Sequence, residues 1–188
     1  MEETKKLQLK EAEESVQQCR KCSLCNTRTS TVFGRGSHNA RILFIGEAPG
    51  ESEDREGKPF VGAAGQLLDH YIAFIGLEEK DYYIANILKC RPPHNRDPLP
   101  EEEDACLPFL RRQVDILRPE IIICLGRIAA KRIISPDLRI TKEHGVWFHR
   151  GKQKILATFH PSALLRDPAK KEAALEDFKK IEKAFFSI

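Results

Sequence analysis

Long hydrophobic runs are missing from this chain. The longest unbroken apolar stretches, such as Ile121 to Leu125, fall far short of the ~18–20 residues that a membrane-spanning helix requires. The sequence opens Met1-Glu2-Glu3 with no apolar stretch behind it, so neither a membrane span nor export is expected, and the expected location is the cytoplasm. Internal repeats and low-complexity tracts are also lacking. Charge of one sign is scarce overall, with a formal net charge of +3 on 188 residues. What is present is ordinary globular material, 41% hydrophobic and 31% charged, with aromatics held to 7%. A chain of this length buries roughly 70% of its unfolded surface, which predicts one domain over residues 1–188.

The small net charge hides an asymmetry. Residues 126–188 carry 14 Lys and Arg against 7 Asp and Glu, a balance of +7, which leaves −4 on the first 125. A basic final third suits a polyanion such as nucleic acid, because condensed counterions are released when Lys and Arg approach phosphates. On charge alone, a solvated basic helix is the simpler account.

Four short runs, Ile42 to Ile45, Tyr82 to Ile87, Ile121 to Leu125 and Ile155 to Phe159, are rich in β-branched or aromatic residues and too short for helices. They predict four buried strands. Helical patterns cover residues 5–18, 64–75, 100–117, 127–134 and 168–186; the last has Asp167 as N-cap, Pro168 in its first turn and Leu175, Phe178, Ile181 and Phe185 as one stripe. Strands alternating with helices predict a parallel sheet covered on both faces, an α/β fold whose ligands collect beyond the carboxyl ends of the strands. Those ends read Gly46-Glu47-Ala48-Pro49-Gly50, Asn86 through Pro93, Gly126-Arg127, and His160 through Arg166.

Six cysteines stand at 19, 22, 25, 90, 106 and 124. In a core-sized chain without an export signal they point to metal rather than disulfides. Cys19-x2-Cys22-x2-Cys25 brings three thiolates to one centre, and Cys90 and Cys106 bracket a proline-rich loop that can return a second pair. A four-cysteine zinc site and an iron-sulfur cubane both fit this spacing. Cys124 sits inside the most apolar run and reads as a small hydrophobe.

The ordered motifs Gly46-Glu47-Ala48-Pro49-Gly50, Gly57-Lys58-Pro59-Phe60-Val61-Gly62, Asn86 with Lys89-Cys90-Arg91-Pro92-Pro93, and His160-Pro161-Ser162 resemble the family 4 uracil-DNA glycosylases over about residues 19–166. The resemblance implies a three-layer α/β/α sandwich around a four-stranded parallel sheet. It also implies a [4Fe-4S] cluster on Cys19, Cys22, Cys90 and Cys106, and hydrolytic removal of uracil from single- or double-stranded DNA. Cys25 lies outside that ligand pattern, whereas a ferredoxin-like reading would take Cys19, Cys22 and Cys25. A related branch with a covalent histidine carries a Lys-Arg-Arg-Ile-His insertion after the second strand; here Arg91-Pro92-Pro93-His94 stands instead, so His94 reads as a loop residue.

The motifs assign expected roles. Phe60 stacks on the extruded base, and Asn86 reads uracil through a carboxamide that both donates and accepts. His160 donates to uracil O2, backbone amides of the Gly46 and Ala48 loop add donors, and Glu47 orients water or crowds the C5 edge. Ser162 binds a flanking phosphate, while Leu164, Leu165 and Arg166 wedge into the vacated stack. No lysine stands where a nucleophile would, so a monofunctional, monomeric enzyme of base-excision repair is expected. A non-catalytic iron-sulfur or zinc DNA-binding module and a thiol redox protein are the competing readings.

Overall fold

The computed structural model describes residues 2–187. Its elements run α1 (Glu2–Gln17), β1 (Arg35–Gly36), β2 (Ile42–Gly46), α2 (Glu51–Glu56), α3 (Ala63–Phe74), β3 (Tyr82–Asn86) and α4 (Pro100–Leu117). Then come β4 (Ile121–Leu125), α5 (Arg127–Ile133), α6 (Ile140–Glu143), β5 (Trp147–Arg150), β6 (Gln153–Thr158), α7 (Pro161–Arg166) and α8 (Lys171–Phe186).

The apolar runs become strands because both of their faces are covered, so no alternation with polar residues is needed. One face, carrying Leu43, Ile45, Ala85, Ile122, Cys124, Ile155 and Ala157, packs on Leu9, Ala12 and Val16 of α1, Leu107, Leu110 and Leu117 of α4, and α5. The other, with Ile42, Phe44, Ile84, Ile123 and Leu156, packs on Leu68 and Ile72 of α3 and on Ala174, Phe178, Ile181 and Phe185 of α8. These helical positions recur three and four apart, the spacing of a single buried stripe. Two helical layers therefore enclose the sheet.

The sheet has six strands, where the sequence predicts four. Its order is β1-β3-β2-β4-β6-β5. The four expected strands pair in parallel, and β1 and β5 add to the edges in antiparallel fashion. The predicted last helix also begins later than expected: Pro168–Lys170 form a 3-10 turn, and α8 starts at Lys171. Buried Cys124 lies within β4, where burial pushes its thiol up to about 12, far from reactive at neutral pH. No helix among the described residues is long and apolar enough to cross a membrane.

The parallel pairing brings four strand ends to one edge. Gly46 is in register with Asn86, and Leu125 with Thr158. Beyond the strands the stitching continues, because Ile87 N–H donates to Gly46 O and Leu88 N–H to Glu47 O, each at 3.0 Å. The carboxyl ends of β2 and β3 are thereby locked side by side.

Candidate active site

Above that edge opens a cleft of about 530 Å³, a size suited to a nucleotide. Glu47, Ala48, Phe60, Asn86, His160, Ser162 and Arg166 all line it, drawn from four separate segments of the chain. Gly46, at the end of β2, lies beside Asn86 and Phe60. A Cβ on Gly46 would stand 2.4 Å from Asn86 Oδ1 and 2.8 Å from Phe60 Cζ, so only glycine lets these two side chains meet there.

Phe60 is held against its own backbone preference, with φ at +53°, and is 6% exposed. Glu53 supports that loop by accepting from the N–H groups of Val61 and Gly62, both at 3.0 Å. The first turns of α3 pass directly beneath, where a Cβ on Gly65 would lie 1.9 Å from Phe60 O. The Phe60 ring faces the imidazole of His160 with centroids 5.6 Å apart.

Asn86 closes β3 and is 2% exposed, and its Oδ1 is buried with no hydrogen-bond partner among the described residues. Buried polar atoms are nearly always satisfied, and an orphan acceptor at the base of a cleft awaits a donor from a ligand. Nothing in the sequence other than the motif marks this atom as unpaired.

His160 caps the N-terminus of α7. Its Nδ1 accepts from Ser162 N–H at 3.1 Å and lies 2.7 Å from Ser162 Oγ. With Nδ1 engaged as an acceptor, the hydrogen-bond network places the imidazole proton on Nε2. Burial, with Arg166 adding to it, pushes the imidazolium down to about 4, so the ring is neutral at physiological pH. Ser162 thus touches His160, a contact that the sequence reading did not anticipate.

Among the described residues, three carboxylates line the cleft. Glu53 is occupied with the Phe60 loop, and Asp97 pairs with Arg127 at 2.6 Å. The carboxylate of Glu47 makes no hydrogen bond or ion pair among the described residues, although its backbone carbonyl accepts from Leu88 N–H. Burial, then the nearby Asp97, pushes its carboxyl up to about 7, opposed by Arg127.

One expectation changes. Leu164 is 1% exposed and belongs to the core beside α3 and α8, so it is not free to wedge, whereas Leu165 is 44% exposed. Arg127, Arg166 and Lys170 line the cleft from the basic final third, and Arg96 joins them from the loop before α4, held by Glu102 at 2.7 Å. His94 is exposed, lies in the 3-10 turn Pro93–Asn95 with φ at +55°, and does not line the cleft.

Cys19, Cys22, Cys25, Cys90 and Cys106 line one separate cavity, together with Arg28 and Lys89. The donors are soft thiols, the chemistry that an iron-sulfur cluster takes, and in donor type the residues fit such a group. Among the described residues, no group of three Cys, His, Asp or Glu is placed to hold a single metal ion. The sequence reading assigned no role to Arg28, Glu53, Lys89, Asp97 or Gln113; Arg28, Lys89, Asp97 and Gln113 each have a partner more than 20 residues away, and Glu53 reaches eight and nine residues on into the Phe60 loop.

A model of the uracil DNA glycosylase superfamily matches residues 33–184, so the sheet and the cleft above it are those of that superfamily. The chain is 48% identical to the type-4 uracil-DNA glycosylase of Archaeoglobus fulgidus, over 88% of this chain and 87% of that one. It is 43% identical to the type-4 uracil-DNA glycosylase of Thermotoga maritima, over 89% of each chain. A type-5 uracil-DNA glycosylase of Pyrobaculum aerophilum is 31% identical over 69% of this chain. The chain belongs to the type-4 uracil-DNA glycosylases.

Proposed function

We infer that the chain, as one domain spanning residues 1–188, hydrolyses the N-glycosidic bond of uracil in DNA as a monofunctional, monomeric enzyme of base-excision repair in the cytoplasm. The observation that carries this reading is the orphaned Oδ1 of Asn86, set between Phe60 and the loop that begins at Gly46.

Extruding a nucleotide costs on the order of a few kcal/mol, recovered in the cleft. Stacking on Phe60 supplies ~1–3 kcal/mol of it. Asn86 Oδ1 accepts from uracil N3–H, and its amide donates to O4. Cytosine presents no hydrogen at N3 and an amine at position 4, so it fails both contacts and leaves the buried carboxamide unpaired. As the bond breaks, its electron pair passes to uracil N1 and charge spreads onto O2, where the neutral His160 donates from Nε2. Water adds at C1′, where its oxygen forms the new bond, and the proton it gives up balances the one that the departing uracil anion takes from solvent. Among the described residues Lys170 is the one lysine lining the cleft, and its amine is paired with Asp167 at 2.9 Å, which disfavours a lyase step through it.

Release of free uracil from a uracil-containing single strand tests the reading. Binding without release would instead describe a DNA-binding module of the same fold.

Glu47 is the carboxylate left free to orient that water. Only its ionised form can do so, and with its carboxyl near 7 the cleavage rate is expected to rise with pH through about 7 and level above it. Glu47→Gln should remove that inflection and lower the single-turnover rate at unchanged affinity. Gained thymine cleavage in Glu47→Ala would assign the residue to the C5 edge of the base instead.

On the rim, Arg166→Ala should impair duplex substrates more than single strands, since only duplex leaves a stacked gap for Leu165 and Arg166 to fill. Equal losses on both, measured side by side, would argue against the wedge. A contact from Ser162 to a flanking phosphate would require its hydroxyl to turn away from His160 Nδ1, 2.7 Å away.

The cysteine cavity is read as the seat of a [4Fe-4S] cluster on Cys19, Cys22, Cys90 and Cys106. When bound, such a cluster cross-links the segment after α1 to the proline-rich loop and to α4, and takes no part in the hydrolysis. Close to four irons per chain are expected, since four ligands match one cubane. Cys25→Ser should keep the brown colour and Cys90→Ser should lose it; the reverse behaviour of Cys25 and Cys106 would move the ligand set to Cys19, Cys22 and Cys25.

A further inference from the structure

Lys89 is 1% exposed, yet none of its partners is an anion. Its ammonium donates to Asn86 O at 2.8 Å, Gln113 Oε1 at 2.6 Å and Phe33 O at 3.2 Å, and lies 5.8 Å from the Phe33 ring centroid. Among the described residues no carboxylate pairs with it. A buried cation in neutral surroundings is costly, and proteins retain one where an opposite charge offsets it.

The candidate countercharge is the cysteine cavity, which Lys89 lines. Its backbone N–H donates to Cys106 Sγ at 3.2 Å, and its ammonium is within electrostatic reach of that sulfur. A second cation lines the same cavity. Arg28 donates from Nη1 to Cys90 Sγ at 3.2 Å, and its Nη2 is anchored on Gln17 O at 3.1 Å. A [4Fe-4S] core of charge 2+ held by four thiolates is a dianion, and hydrogen bonds and charges at the sulfurs set its potential. Two fixed cations therefore face two negative charges. Lys21 also lines the cavity but is exposed, with its amine over the Phe109 ring, so water screens it.

We propose that Arg28 and Lys89 are the charge partners of the cysteine-held cluster, and that Lys89 additionally ties that centre to the uracil-reading Asn86 through the Asn86 carbonyl. The proposal rests on the cluster reading above. Lys89 acts as a positioning residue and touches no substrate.

The test is the midpoint potential for one-electron reduction of the cluster, read by film voltammetry on the holoprotein with iron content measured in parallel. Arg28→Gln should shift the potential to more negative values at full iron content, because the reduced cluster loses a compensating charge. Arg28→Lys should recover most of the shift, and Lys21→Gln should leave the potential in place. Lys89→Met should move it in the same direction and weaken discrimination between uracil and cytosine. Should Lys89→Met fail to fold, the Arg28 pair decides the question. An Arg28→Gln protein with full iron and the wild-type potential overturns the proposal while leaving the cluster reading intact. A wild-type protein without iron removes both.

Discussion

His160→Ala is expected to lower the single-turnover rate of uracil release by about 10²–10³-fold, the loss that follows removal of one oxyanion donor, ~2.7–4 kcal/mol. Affinity for uracil DNA should fall much less, because the contact to O2 strengthens only as charge arrives there. The tautomer makes the expectation specific. Nδ1 is committed to the Ser162 N–H, so the proton available to the base is on Nε2. Since burial holds the imidazolium near 4, the ring stays neutral as pH rises from about 5 to 9, and His160 should contribute no inflection over that range. Any inflection near 7 belongs to Glu47 and should persist in His160→Ala, at reduced amplitude. A rate within about threefold of wild type in His160→Ala, an effect under ~0.7 kcal/mol, would remove this histidine from the chemistry.

Ser162 enters through the same geometry. Its backbone N–H fixes the His160 tautomer whatever side chain it carries, and only the 2.7 Å contact from Oγ is lost in Ser162→Ala. The serine therefore supports the histidine mainly by where Pro161 and the turn into α7 place its amide. That is a backbone property, and a sequence reading that assigns roles to side chains passes over it.

The four central strands were legible because burial on both faces leaves an unbroken apolar run, the strongest signal a short strand can carry. The edge strands carry no such signal. β1 is two residues long, and β5 runs Trp147-Phe148-His149-Arg150, half of it exposed, so neither rises above a loop. The cleft was legible for a different reason: glycine and proline cluster where backbone must approach backbone or a ligand, and those residues punctuate each strand end. Leu164 and Leu165 could not be told apart, since a six-residue helix is too short to establish a phase, and one of the two had to face the core. The supporting shell was least visible. Glu53 reaches Val61 and Gly62, Lys89 reaches Phe33 and Gln113, and Arg28 reaches Cys90 across 62 residues of sequence, pairings that exist only once the chain has folded.

Gly46→Ala is expected to abolish recognition of the base with little effect on the scaffold. The added methyl would sit 2.4 Å from Asn86 Oδ1 and 2.8 Å from Phe60 Cζ, closer than carbon can approach either. Neither neighbour can yield without cost. Asn86 ends a strand whose backbone is pinned on both sides, by Ile87 N–H to Gly46 O and by Lys89 Nζ to Asn86 O. Phe60 is fixed by Glu53 below its loop and by the close approach of Gly65. What must give is the carboxamide or the ring, and either movement spoils the slot into which uracil fits. Losing stacking removes ~1–3 kcal/mol, and leaving a polar group unpaired removes about 1–3 more, so cleavage efficiency should fall by about 30-fold or more. The loss should appear in the concentration dependence as well as in the maximal rate, unlike that of His160→Ala, because the methyl excludes the base before any charge develops. Thermal unfolding measured alongside serves as the control. If Gly46→Ala instead retains its wild-type affinity for uracil DNA, the base does not lie between Phe60 and Asn86, and the recognition geometry proposed for this cleft is wrong.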